Sequence, residues 1–234
     1  MKNRQIKNGR IKVCGINSEA AFDEAVAAGV DWIGFVFFPP SPRFVTPARA
    51  AALSARRRGG PPRVGLFVDP DEAMIGAALA ALPLDILQLY AAPERAAALG
   101  QHFGRPVWRA VGVADRSDLP SDAAGADTLL IEPKAPPEAT RPGGNAMRFD
   151  WSLLAGWTAP APWVLAGGLN PENVGAAIAA SRATAVDVSS GVERMPGVKD
   201  PALIRAFIES ARAAWRSRDG EEAARPRPEA VRGG

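Results

Sequence analysis

The chain alternates between short, almost wholly apolar runs and longer Ala-rich segments whose polar residues recur at helical spacing. Eight runs stand out: IKVC (11–14), DWIGFVFF (31–38), RVGLFVD (63–69), DILQLY (85–90), PVWRAVGV (106–113), DTLLIE (127–132), WVLAGG (163–168) and AVDVSS (185–190). They are near-continuous in apolar residues rather than alternating, the pattern of parallel strands covered on both faces. Helix starts lie between them at Ser18, Thr46-Pro47, Pro70-Asp71, Pro93, Asn170-Pro171 and Asp200-Pro201. A cap residue accepts from the unpaired N–H groups of a first turn, and Pro at the first helical position has none to satisfy. Where the fifth and sixth helices belong, SDLPSDAAG and FDWSLLAG predict only short segments.

Eight strand-plus-crossover units in 234 residues match the arithmetic of an α/β fold of the (β/α)8 or TIM-barrel type, a single domain over 11–215. The competing architecture is a doubly wound open sheet, but no GxGxxG follows the first run, which counts against a dinucleotide-binding form of it. Residues 1–10 read as a polar N-terminal extension. Residues 216–234 mix both charges with Pro and Gly and offer no apolar face to offset the entropy of ordering, so they read as a flexible charged tail.

Composition narrows the function classes. Hydrophobic residues at 47% and charged residues at 23% describe a folded globular chain. Lys and Arg (28) nearly balance Asp and Glu (25), and the densest basic run, Arg56-Arg57-Arg58, reads as a solvated helix C-terminus rather than a nucleic-acid patch. One cysteine cannot form an internal disulfide. No apolar signal core follows MKNRQIKNGR, and no uncharged apolar stretch of about 18 residues occurs, so the expectation is a cytoplasmic protein without membrane or nucleic-acid partners. His102 falls on a helix, and no clustered ligand spacing marks a metal site.

In such a barrel the chemistry gathers at the C-terminal ends of the strands. Cys14 closes the first run; it is either a small buried hydrophobe or a base or nucleophile whose pKa its surroundings control. The loop FVFFPPSPRFV after the second run presents Arg43, a carboxylate clamp or a surface arginine on a turn. Glu132 closes the sixth run ahead of a long loop containing Gly143-Gly144, as an acid partner or as a strand-end carboxylate facing water. Gly167 and Gly168 after the seventh run, with Ser190 and Gly191 after the eighth, form two small-residue loops suited to holding phosphate through backbone N–H groups. Together they point to a small phosphorylated ligand carrying a carboxylate, acted on by acid and base without a metal.

KVCG, GFVFFPPSPR, RPGG…FDW, LAGGLNPENV and VDVSSGVE…PGVKD, in this order and spacing from Lys12 to Phe207, closely resemble the phosphoribosylanthranilate isomerase family of tryptophan biosynthesis. The resemblance implies a (β/α)8 barrel that converts N-(5-phosphoribosyl)anthranilate to 1-(2-carboxyphenylamino)-1-deoxyribulose 5-phosphate by a cofactor-free Amadori rearrangement. It implies Cys14 as base, Arg43 on the anthranilate carboxylate, the loops at Gly167-Gly168 and Ser190-Gly191 on the phosphate, and Asp187 on the anthranilate side. A monomer or homodimer is expected. Three places depart from the pattern: Glu132 stands in place of the family's aspartate acid, Tyr90-Ala91 in place of His-Gly, and Asn145-Ala146 where the family has Thr-Gly or Asn-Gly. These departures define the alternative, a barrel that binds the phosphoribosyl ligand without efficient turnover. A related histidine-pathway isomerase would use two aspartates, which Cys14 does not fit, and triosephosphate isomerase-like chemistry would need a histidine at the mouth.

Overall fold

In the computed structural model, which describes residues 9–136, 143 and 150–224, eight parallel strands close into a barrel in chain order. They are β1 (Arg10–Cys14), β2 (Trp32–Val36), β3 (Arg63–Val68), β4 (Ile86–Tyr90), β5 (Val107–Val113), β6 (Thr128–Pro133), β7 (Trp163–Leu165) and β8 (Ala185–Val188). Helices α1 (Glu19–Ala27), α2 (Pro47–Ala55), α3 (Glu72–Ala81), α4 (Pro93–Phe103), α5 (Val174–Ser181) and α6 (Pro201–Ala224) cover the outside. As their sequence implies, among the described residues the fifth and sixth crossovers carry only single 3-10 turns, Arg116–Asp118 and Trp151–Leu154.

Parallel strands leave the first N–H of each strand in need of an acceptor, and one device recurs here. Asp31, Asp85 and Asp127, each just ahead of an even-numbered strand, accept from the N–H of Ile11, Arg63 and Val107 on the preceding strand at 2.8, 2.7 and 2.8 Å. These carboxylates pin the register at the N-terminal end. The same end is plugged by Trp32, Val64, Trp108, Val164 and Ala185, with the Trp32 and Trp108 rings edge-to-face at 4.9 Å and the Arg10 guanidinium 5.4 Å above Trp32. An apolar plug at one end leaves the other as the place where polar side chains of the barrel interior can meet a ligand.

Several boundaries differ from the sequence reading. β2, β7 and β8 stop short of the apolar runs that contain them, because the closing residues turn out of the sheet into loops; Gly167 and Gly168, at φ of +85° and +64°, cannot continue a strand. α5 begins at Val174 rather than directly after Asn170-Pro171. An unanticipated hairpin, β9 (Glu193–Met195) with β10 (Val198–Lys199), follows β8. The helix α6 runs through Ala224, into what composition marks as tail, since Trp215 is buried and donates from Nε1 to the Ala183 carbonyl at 2.8 Å. At the other end the barrel begins at Arg10, inside the expected extension. Asn145 and Ala146 lie outside the described residues. No described helix is long and apolar enough to cross a membrane.

Candidate active site

Side chains two apart on a strand share a face, so β1 sends both Lys12 and Cys14 into the barrel. Lys12 is wholly buried, and its Nζ meets Asp187 Oδ1 at 3.1 Å; the two residues are register partners on β1 and β8. Gly34, the register partner of Cys14 on β2, leaves the room these side chains need: a Cβ there would lie 3.0 Å from Cys14 Sγ and 3.1 Å from Lys12 Cε. Burial pushes the Cys14 thiol above its ordinary pKa, opposed by the Lys12 ammonium. Burial works against the Lys12 charge, but Asp187 and Cys14 outweigh it and hold the ammonium above its ordinary value. Asp187, also raised by burial and opposed by Lys12, completes a cluster in which a thiol stands over a buried cation.

Glu132, at the end of β6, is 5% exposed, so it is not a carboxylate facing water. Burial lifts its pKa to about 8, against the opposing pull of the nearby Tyr90 hydroxyl. At neutral pH it therefore carries a proton, the state a general acid requires. Tyr90, at the end of β4, has a hydroxyl that stays neutral, its pKa driven well up by burial and by Glu132. Gly143 closes over both: a Cβ built on it would come within 2.5 Å of Tyr90 Oη and 2.8 Å of Glu132 Oε1.

A cleft opens at this end of the barrel between Cys14, Arg43, Gln88, Tyr90, Gly143 and Asp187. Gln88, in its wall, has a buried Oε1 with no partner among the described residues. Arg43 is 4% exposed, which overturns its reading as a surface arginine. Its Nε and Nη2 donate to Glu193 Oε1 and Oε2 at 2.7 and 2.8 Å, a two-point pair. Glu193 also accepts from Lys199 Nζ at 2.8 Å, and Lys199 donates to the Ser189 carbonyl at 2.8 Å. Burial pulls Lys199 down to about 8, against the pull of Glu193. Burial acts to raise Glu193, but Arg43 and Lys199 outweigh it and hold the carboxylate below its ordinary pKa. The β9–β10 hairpin thus ties the arginine to the eighth loop.

The two small-residue loops meet as well. A Cβ on Gly191 would lie 1.8 Å from the Leu169 carbonyl oxygen, so only glycine lets the eighth loop press on the seventh. Asn173 braces the seventh loop, donating to the Gly168 carbonyl at 2.9 Å and accepting from the Asn170 N–H at 2.8 Å. Among the described residues, no protein acceptor takes the N–H of Gly167, Gly168, Ser190 or Gly191, which suits an anion held by backbone donors.

The candidate site residues Cys14, Arg43, Glu132, Gly167, Gly168, Asp187, Ser190 and Gly191 thus lie toward the C-terminal end of the barrel. Lys12, Glu193 and Lys199 were missed as functional residues. Lys12 has a signal, its place two residues before Cys14; the hairpin residues have none at the level of periodicity. A larger cavity of about 590 Å³ lies at the opposite end, beside Arg57, Arg58, Arg63 and Asp85. Its one deeply placed cation is spent on structure: the Arg63 guanidinium donates to Ser54 and to the Arg57 and Pro61 carbonyls.

Fold and mouth together define a (β/α)8-barrel enzyme of the acid–base type. The sequence matches the profile of the N-(5'-phosphoribosyl)anthranilate (PRA) isomerase family over residues 11–210, and the chain belongs to that family. It is 56% identical to the N-(5'-phosphoribosyl)anthranilate isomerase of Acidiphilium cryptum over 88% of this chain and 99% of that one. Among solved structures, it resembles monomers generated from the dimeric Thermotoga maritima enzyme, with a TM-score of 0.72 at 34% identity over 88% of this chain and 99% of that one. It also resembles a phosphoribosyl anthranilate isomerase in complex with reduced 1-(o-carboxyphenylamino)-1-deoxyribulose 5-phosphate, with a TM-score of 0.73 at 33% identity, again over 88% and 99%.

Proposed function

We propose that this barrel isomerises N-(5'-phosphoribosyl)anthranilate, with Glu132 as the source of the acid's proton and Cys14 as the base. The observation that carries the assignment is the pairing of a buried, protonated carboxyl with a thiol set over a buried ammonium at one mouth. A proton from Glu132 reaches the ribose ring oxygen as the C1–O bond breaks, and the anthranilate nitrogen supplies the electrons to form a Schiff base. The Cys14 thiolate then takes the proton from ribose C2, and the electron pair moves into the enolamine that becomes the ketone. The active form therefore carries a proton on Glu132 and none on Cys14. Lys12 favours that form by stabilising the thiolate.

Arg43, oriented by Glu193, presents the remaining edge of its guanidinium to the anthranilate carboxylate, and Asp187 lines the same side. Gly167, Gly168, Ser190 and Gly191 hold the phosphate with N–H groups that have no acceptor among the described residues. The phosphorylated small molecule is the only ligand this reading requires, and the protein works in the cytoplasm as a monomer or homodimer. Product formation from phosphoribosylanthranilate, compared between wild type and Glu132→Gln, tests it. Turnover by wild type with a loss of at least about 10²-fold in the variant is expected. A wild type that binds a reduced product analogue but gives no product would instead establish a barrel that binds without turnover.

A further inference from the structure

The acid's carboxyl does not itself form the wall of the cleft. That wall is made by Tyr90 and Gly143, alongside Cys14, Arg43 and Asp187, while the Glu132 carboxyl and the Tyr90 hydroxyl converge on one point beside Gly143, 2.8 and 2.5 Å from a Cβ built there. Tyr90 is only partly buried where Glu132 is almost fully so. We propose that Tyr90 is a catalytic residue, the group that hands the proton to the ligand and is resupplied by Glu132.

The step balances without any further reactant. Tyr90 donates its hydroxyl proton to the ribose ring oxygen as the C1–O bond breaks, and Glu132 passes its carboxyl proton to the phenol oxygen. The tyrosine ends neutral, the carboxyl ends as carboxylate, and one proton has moved from Glu132 to the ligand. A chain of two hydrogen bonds, Glu132 to Tyr90 to ligand, needs each donor within reach of the next. A phenol is suited to the middle place because it both donates and accepts. Its pKa, held well above the ordinary value by burial and by Glu132, keeps it in the neutral form. Gly143 is part of the device, since any side chain there would overlap both the hydroxyl and the carboxyl. The relay also accounts for two departures from the family pattern together: the longer acid at 132 reaches a hydroxyl at 90 that stands between it and the ligand.

This inference rests on the reading of Glu132 as the proton source, and the experiment separates the two. Turnover of phosphoribosylanthranilate is compared for wild type, Tyr90→Phe, Tyr90→His and Glu132→Gln, each first checked by circular dichroism and a melting curve. The relay predicts that Tyr90→Phe loses kcat by about 10²-fold or more, with KM within threefold. It predicts that Tyr90→His, which restores a group able to donate and accept, regains at least a tenth of the wild-type rate. A Tyr90→Phe enzyme with kcat within threefold of wild type, while Glu132→Gln is inactive, overturns the relay and leaves Glu132 as the direct acid. Full activity in Glu132→Gln overturns the acid assignment and the relay with it. Equal loss in Tyr90→Phe and Tyr90→His, with KM raised in both, assigns Tyr90 to packing and overturns the relay.

Discussion

Lys12 and Asp187 face each other across the β1–β8 pairing at 3.1 Å, directly below the Cys14 thiol on the same face of β1. The ammonium of that pair is the one influence that lowers the thiol's pKa most, against burial. Replacing it by a neutral chain of similar shape removes that support. For Lys12→Met the account predicts a thiol titrating at higher pH, seen as a shift in the pH dependence of Cys14 alkylation, together with a fall in kcat. The unpaired Asp187 would cost on the order of 3 kcal/mol of stability, as breaking a buried pair does. An unshifted alkylation profile in a folded variant would contradict this role.

Glu132 ties activity to a stability cost with a defined pH window. Its carboxyl ionises near 4.5 in an ordinary setting and near 8 in the fold. A raised folded pKa means that stability is fully present while the group is protonated in both states. It falls as pH climbs through the window from 4.5 to about 8 and is level above it. Glutamine cannot ionise, so Glu132→Gln escapes the loss. Its stability advantage over wild type should be near zero at the acid end and reach roughly 2–5 kcal/mol above the window. Urea unfolding of both proteins across this range measures it, and parallel pH curves would refute the burial argument.

Arg43 is fixed by a two-point pair with Glu193, which places its remaining guanidinium edge rather than merely its charge. Lysine keeps the charge but has no fork. Arg43→Lys should therefore raise KM by about tenfold, the worth of roughly 1.4 kcal/mol of binding, with kcat changed far less. The same split in Glu193→Gln, at smaller size, would trace the effect to orientation. A loss confined to kcat in Arg43→Lys would place the arginine in the chemistry instead.

Much of this was legible before any coordinates. Parallel strands buried on both faces leave apolar runs that can be counted, and a barrel's mouth lies at their ends, so the placement of Cys14, Glu132 and the two glycine loops there follows from position alone. What escaped depends on contacts between distant elements. The link between Tyr90 and Glu132 joins β4 to β6 across an intervening strand, so the sequence marks Tyr90 only as a departure. Glu193 and Lys199 sit on strands of three and two residues, too short to show a period. Lys12 was recoverable: a lysine inside IKVC, two before the thiol, must point inward with it. The end of α6 was misjudged because the buried Trp215 anchors a helix that composition alone would not continue.

The most direct test of the account is the release of deuterium from substrate labelled at ribose C2, measured for wild type and Cys14→Ala. The account predicts release into solvent by wild type at the rate of product formation, and a loss of about 10²-fold or more when the thiol is removed. Deuterium release by Cys14→Ala at the wild-type rate would contradict it, because some other group would then be the base.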